Sequence, residues 1–188
     1  FETPLGRVTV DTELVAALTK AHRGIIVHNE VHRREHSVEV QLPFLQYRLG
    51  NDLQIVPIVL GTQNAETCRK IAGELKPYLN EKNLFVISTD FSHYPSYKDA
   101  VSNDKRTADA IVSNTPERLL TTLASNEDMG IPGLSTSLCG WTSVLTLMYM
   151  TSGENVRYRE IAYMNSGDSE IYGDKDRVVG YWSIVIEE

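Results

Sequence analysis

Asp90 and His93 are the residues whose types and spacing most readily do chemistry. They lie three positions apart in Ser88-Thr89-Asp90-Phe91-Ser92-His93-Tyr94, directly after the apolar run Leu84-Phe85-Val86-Ile87. An imidazole titrates near neutral pH and a neighbouring carboxylate can orient it, so the pair suits proton transfer. The run before it is too dense in apolar residues for a half-exposed strand. It reads as a buried parallel strand emptying into a polar crevice, and in open α/β sheets ligands bind beyond the carboxyl ends of the strands. The structural alternative is that Asp90 caps a turn and His93 packs under Tyr94 as a satisfied core histidine.

Two further groups carry chemistry by type. Cys139 lies in Leu138-Cys139-Gly140-Trp141, where a loop of small residues opens a greasy helix over 142–150. A thiol at a helix N-terminus meets free N–H groups and the positive end of the dipole, which suits a nucleophile or a metal ligand; a small buried hydrophobe is the plainer reading. Glu35-His36-Ser37 leads into Val38, Leu42, Leu45 and Leu49, an amphipathic pattern that predicts a helix with these polar residues at its entry, where backbone donors favour an anion. Pro43 should kink that helix or mark its first turn. His28, His32 and His36 are spaced by four and would share a face of a continuous helix. They depart from the zincin pattern, which needs Glu immediately after the first His, whereas Glu30 is two residues on.

The elements that must position these residues can be read from periodicity. Residues 2–10 suggest a short edge strand after a Pro/Gly turn, and Asp11 caps a helix that Gly24 can stop. Residues 25–27 suggest a brief strand. Strands at 53–60 and 84–88 with a helix at 65–79 between them form a predicted βαβ crossover, right-handed by the general rule. Helices are expected at 100–112 and 116–123, the latter with Pro116 at a favourable first position. Two β-like runs, 156–163 and 178–186, close the chain. The Gly- and Asp-rich connection between them lacks EF-hand spacing and reads as a solvated loop.

With 188 residues, ordinary apolar and charged content and no composition break, one α/β domain is expected. The net charge of −7 and the lack of any Lys/Arg stripe argue against nucleic acid as a partner. No apolar run approaches the ~20 residues that span a bilayer, so no membrane partner is expected. Cys68 and Cys139 are too far apart for a metal knuckle, and so few cysteines suit a reducing compartment; a cytoplasmic protein is the expectation. The first residue is Phe rather than Met, so the domain is expected to be incomplete at its N-terminus.

Three separated segments, Glu35-His36-Ser37-Val38-Glu39 with Leu42-Pro43-Phe44, Ser88 through Tyr94, and Leu138-Cys139-Gly140, together resemble the Memo family, also called AmmeMemoRadiSam system protein B. The resemblance runs from Thr3-Pro4-Leu5 to the last strand. It implies the fold of the B subunit of class III extradiol ring-cleaving dioxygenases, a largely parallel or mixed central sheet flanked by helices. It further implies a non-heme metal, Fe(II) with copper or zinc as alternatives, with Cys139 as a ligand. His93 would act as acid/base with Asp90 beside it, and Glu35, His36 and Ser37 would line the ligand pocket. The family's two metal-binding histidines lie in Pro-His-Ala-Gly and Gly-Pro-Ser-His-His segments, and none of the five histidines here matches them. The implied function is dioxygenase-like or redox handling of a small molecule; the alternative is a non-catalytic module that binds a protein or phosphopeptide.

Overall fold

The computed structural model describes residues 1–21, 24–171 and 173–188, and the chain divides at Gly61 into two units, Phe1–Gly61 and Thr62–Glu188. In the first unit β1 (Glu2–Thr3) pairs antiparallel with β2 (Gly6–Arg7) around Pro4 and Leu5, so the single strand expected at 2–10 is instead a tight hairpin followed by β3 (Thr9–Val10). β3 pairs in parallel with β4 (Gln54–Ile55). α1 (Thr12–Ala21) is capped as Asp11 predicts, its Oδ1 accepting from the Leu14 N–H at 2.8 Å. The stop expected at Gly24 involves residues 22 and 23, which lie outside the described residues.

The histidine-rich segment is not one helix. His28 caps α2 (Asn29–Arg34), its Nδ1 accepting from the Val31 N–H at 3.3 Å, and Glu35 ends the helix in an extended conformation. His36 therefore shares no helical face with His28 and His32. The next helix begins later than predicted: α3 (Leu42–Leu49) starts at the residue before Pro43, and the chain turns through 37–41. A proline has no N–H to give and a preset φ, so it is best accommodated in a first turn, and here it defines one. No strand forms at 25–27.

The second unit contains α4 (Ala65–Leu75, running into a 3-10 turn at Lys76–Tyr78), α5 (Tyr97–Val112), α6 (Pro116–Asp128), α7 (Trp141–Thr151), β5 (Arg157–Asn165) and β6 (Gly180–Glu187). β5 and β6 form an antiparallel ribbon with a bulge between Glu160 and Ala162. α4 packs on α7, α5 packs on α6, and α5 lies across the ribbon. Cys68, Phe91, Ala108, Ile111, Leu119, Leu138, Leu145, Met148 and Tyr158 are the buried centre. Each large apolar side chain buried there contributes about 1.5–3 kcal/mol.

The predicted βαβ crossover is only partly realised. The helix exists, but 53–60 contributes just the short β4, and 84–88 joins no ladder among the described residues. Its side chains alternate: Leu84 and Val86 are exposed, whereas Phe85 and Ile87 are half-buried. A ladder needs a neighbouring backbone in register, and none of the described residues supplies one here. Among the described residues the protein is α/β, with helices and three two-stranded sheets.

Candidate functional site

Asp90 and Cys139 meet because the loop 135–139 runs antiparallel to 90–93. The His93 N–H donates to the Thr136 carbonyl (3.0 Å), the Ser135 N–H to the His93 carbonyl (2.9 Å), and the Cys139 N–H to the Asp90 carbonyl (3.2 Å). Cys139 is thereby held opposite Asp90, whose own N–H donates to Cys139 Sγ at 3.2 Å. On its other side His93 bridges Val179, just before β6. The loop approaches this closely because residue 140 is glycine: a Cβ there would lie 2.7 Å from Thr89 Oγ1. In its place the Gly140 N–H donates to Thr89 Oγ1 (2.7 Å), and the Thr89 hydroxyl donates to the Asp90 carbonyl (2.9 Å) and lies 3.6 Å from Cys139 Sγ.

One ligand atom from each of Asp90, His93 and Cys139 can be chosen so that all lie within 4.8 Å of one another. His93 Nε2 is 3.3 Å from Asp90 Oδ2, an ion-pair distance when the imidazole is protonated, yet it has no hydrogen-bond partner among the described residues. Asp90 and His93 are half-buried and Cys139 is exposed. Tyr181 belongs to the same neighbourhood: burial raises its phenol pKa, and the Asp90 charge adds to the shift. A small apolar cavity of about 100 Å³ is lined by Ile87, Thr89, Phe91, Val144, Trp182 and Ile184 among others; of the residues around the cluster, Thr89 reaches it.

Consecutive residues of α5 hold both backbones from behind. Asp104 Oδ1 accepts from the Ser92 N–H (2.9 Å), its Oδ2 accepts from the Tyr163 hydroxyl (2.8 Å), and Asn103 Oδ1 accepts from the Ser137 hydroxyl (3.2 Å). Asn103 and Asp104 are fully buried. Burial raises the Asp104 pKa, and hydrogen bonds from Ser92, Tyr163 and Asn103 oppose this only in part.

Glu35, His36 and Ser37 belong to the first unit. There the Glu35 carboxylate accepts from the N–H groups of His36 (2.8 Å) and Ser37 (2.9 Å). These bonds, the Ser37 N–H above all, hold its pKa below the usual value. The donors expected at a helix entry are turned on Glu35 itself.

A family model described as Memo-like protein matches residues 1–185. The chain belongs to the Memo family. Similar MEMO1 family proteins include those of Thermoplasma acidophilum, 33% identical over 98% of this chain and 65% of that protein, and of Archaeoglobus fulgidus, 37% identical over 97% and 66%. A third, from Methanosarcina mazei, is 35% identical over 100% of this chain and 67% of its own length. The chain thus spans about two thirds of the length of these Memo relatives.

Within this Memo chain, sequence reasoning passed over Thr89, Asp104, Tyr163 and Tyr181. Thr89 stood inside the quoted motif and could have been found as a hydroxyl between Ser88 and Asp90. Asp104 gave no signal, because an acid on a helix ordinarily marks a solvated face. Its raised pKa makes a sign-definite prediction: the native state holds the Asp104 proton more tightly than the unfolded state, so its stabilising contribution is complete below the unfolded value and is lost as pH rises through the folded one. Asp104→Asn, which cannot ionise, should therefore gain stability relative to wild type as pH rises from about 4 to 7. Urea unfolding across that range checks this, and a difference independent of pH contradicts it.

Proposed function

We propose that the Asp90, His93 and Cys139 cluster is the working site of a metal-assisted, dioxygenase-like or redox protein acting on a small molecule. The observation that carries the reading is the convergence of carboxylate, imidazole and thiol donors within 4.8 Å at one end of the 84–90 segment. Of these groups the Cys139 thiolate would hold the metal, with Asp90 and His93 beside it as the proton-handling pair, and a thiolate suits iron, copper or zinc. Bound there with Cys139 as a ligand, such a metal supplies Lewis-acid activation and, for iron or copper, electron transfer.

The chain's own residues do the rest. His93 would take a proton from a substrate hydroxyl, and Asp90, 3.3 Å from its buried Nε2, would balance the charge of the protonated ring. The Asp90 N–H and the Thr89 hydroxyl fix the direction of the Cys139 sulfur. Asn103 and Asp104 keep the two backbones from parting, which holds the donors in register.

Metal-loaded protein under oxygen, screened with catechols for oxygen consumption, tests the reading. Turnover that falls at least about a hundredfold in His93→Ala and Cys139→Ser supports it. Ligand capture with no turnover by the loaded protein would replace it with a binding module. A companion prediction concerns retention. None of the five histidines matches the family's metal-binding segments, and a thiolate with few partners competes poorly with water and protons, so residues 1–188 should keep far less than one equivalent of iron, copper or zinc after dialysis. Stoichiometric retention lost on Cys139→Ser, measured by elemental analysis, would make His93 or Asp90 a ligand rather than a proton-handling pair.

A further inference from the structure

Tyr94 follows His93 and has φ +74, a left-handed conformation that bulky side chains adopt rarely. The other described non-glycine residue with positive φ is Asn114, a type that tolerates it. The surroundings hold Tyr94 there: its N–H donates to the Val178 carbonyl at 2.7 Å, and its own carbonyl lies so near Gly133 that a Cβ on that glycine would be 2.6 Å away. Glycine would fit position 94 without strain, and backbone strain of this kind gathers at ligand clamps. What the strained backbone places is the ring. Its centroid is 5.4 Å from that of His93, and the Arg177 guanidinium carbon stacks 4.1 Å from it.

Arg177 is exposed, and among the described residues no carboxylate lies within ion-pair distance of it. Stacking occupies the face of a guanidinium and leaves its edge donors free, in the fork that matches a carboxylate or phosphate. The chain carries a net charge of −7 and Asp90 stands at the cluster, so an anion would be repelled from most of this surface and drawn to the Arg177 end.

We propose that Arg177, stacked on Tyr94, is the oxyanion-binding and specificity-determining residue of this site. The ligand presented to Asp90, His93 and Cys139 carries a carboxylate or phosphate about one ring's width from its reacting end, with its aromatic body against Tyr94 and His93. This inference rests on the cluster being the working site.

Benzoate and benzamide share shape but not charge, and phenyl phosphate offers the other oxyanion; ligand-observed NMR titration of the three probes on the 188-residue chain gives the test. Benzoate or phenyl phosphate should bind about tenfold more tightly than benzamide, a charge-assisted pair's worth, and whichever binds more tightly names the oxyanion. Arg177→Gln should erase that preference, Arg177→Lys should retain part of it, and Tyr94→Phe should keep it. Equal binding of all probes by wild type, no binding of any, or a preference that survives Arg177→Gln overturns the proposal. A loss of thermal stability in Arg177→Gln with the preference intact does the same, because Arg177 would then only brace Tyr94. If Arg177-dependent anion binding is found but His93→Ala and Cys139→Ser leave all three affinities unchanged, the anion site stands and the assignment of the cluster as the working site fails.

Discussion

Gly180→Ala should destabilise the protein by about 3–5 kcal/mol and loosen the site with it. A Cβ at residue 180 would lie 1.8 Å from Asp104 Oδ2 and 2.7 Å from its Cγ, so the carboxylate must move. Overpacking a filled interior costs about 1–3 kcal/mol, and a displaced Asp104 gives up its bonds from the Tyr163 hydroxyl and the Ser92 N–H, each costly to leave unmade in a buried place. Against a typical total of about 5–15 kcal/mol, that loss is large. Gly153→Ala is the natural control. Its φ is +81 and nothing lies within 4 Å of its would-be Cβ, so only backbone strain of about 1–2 kcal/mol is at stake. Urea midpoints compare the two, and a Gly180→Ala cost no greater than that of Gly153→Ala would show that Asp104 is not the buried brace described above. Adding Asp104→Ser, which shortens the obstructing side chain, should make the pair cost less than the sum of its singles, as expected for residues in contact.

How much of this was legible in the sequence depended on whether the cause was local. α5, α6, α7, β5 and β6 were visible because each carries its own local pattern, and Pro116 marks the start of α6. Ser96, whose hydroxyl accepts from the Asp99 N–H and opens α5 three residues before the predicted start, is a cap of the same local kind that was overlooked. Residues 53–60 and 84–88 were misjudged for a non-local reason. An apolar run shows that a strand could be covered, but ladder bonds and burial depend on what else lies alongside, and Leu84 and Val86 remain exposed. The site divides in the same way. Asp90 and His93 announce themselves by adjacency and Cys139 by its small-residue loop, whereas Asp104, Tyr163, Tyr181 and Arg177 matter only through tertiary neighbours that no spacing encodes.

The two thiols should differ in alkylation rate by at least about a hundredfold, with Cys139 the faster, because one waits for the protein to open and the other does not. Cys68 has no accessible surface and lies in the core cluster on α4. Burial also raises its pKa, only partly offset by a hydrogen bond with Thr146, so the reactive thiolate is scarcer there. Iodoacetamide can reach it only through an opening that costs a substantial part of the global stability, and each 1.4 kcal/mol of opening slows labelling about tenfold. Cys139 is exposed at the mouth of α7 and reacts from the native state. Time-resolved labelling with peptide mapping reads both rates in one sample, and in concentrated urea the two should converge. Cys68 labelling first in native buffer would contradict the packing. The same experiment also reports on metal: zinc held through Cys139 Sγ should slow labelling of Cys139 and leave Cys68 unchanged. Equal slowing at both would mean that zinc stabilises the fold from elsewhere, and no slowing at either would mean that this sulfur does not hold zinc under those conditions.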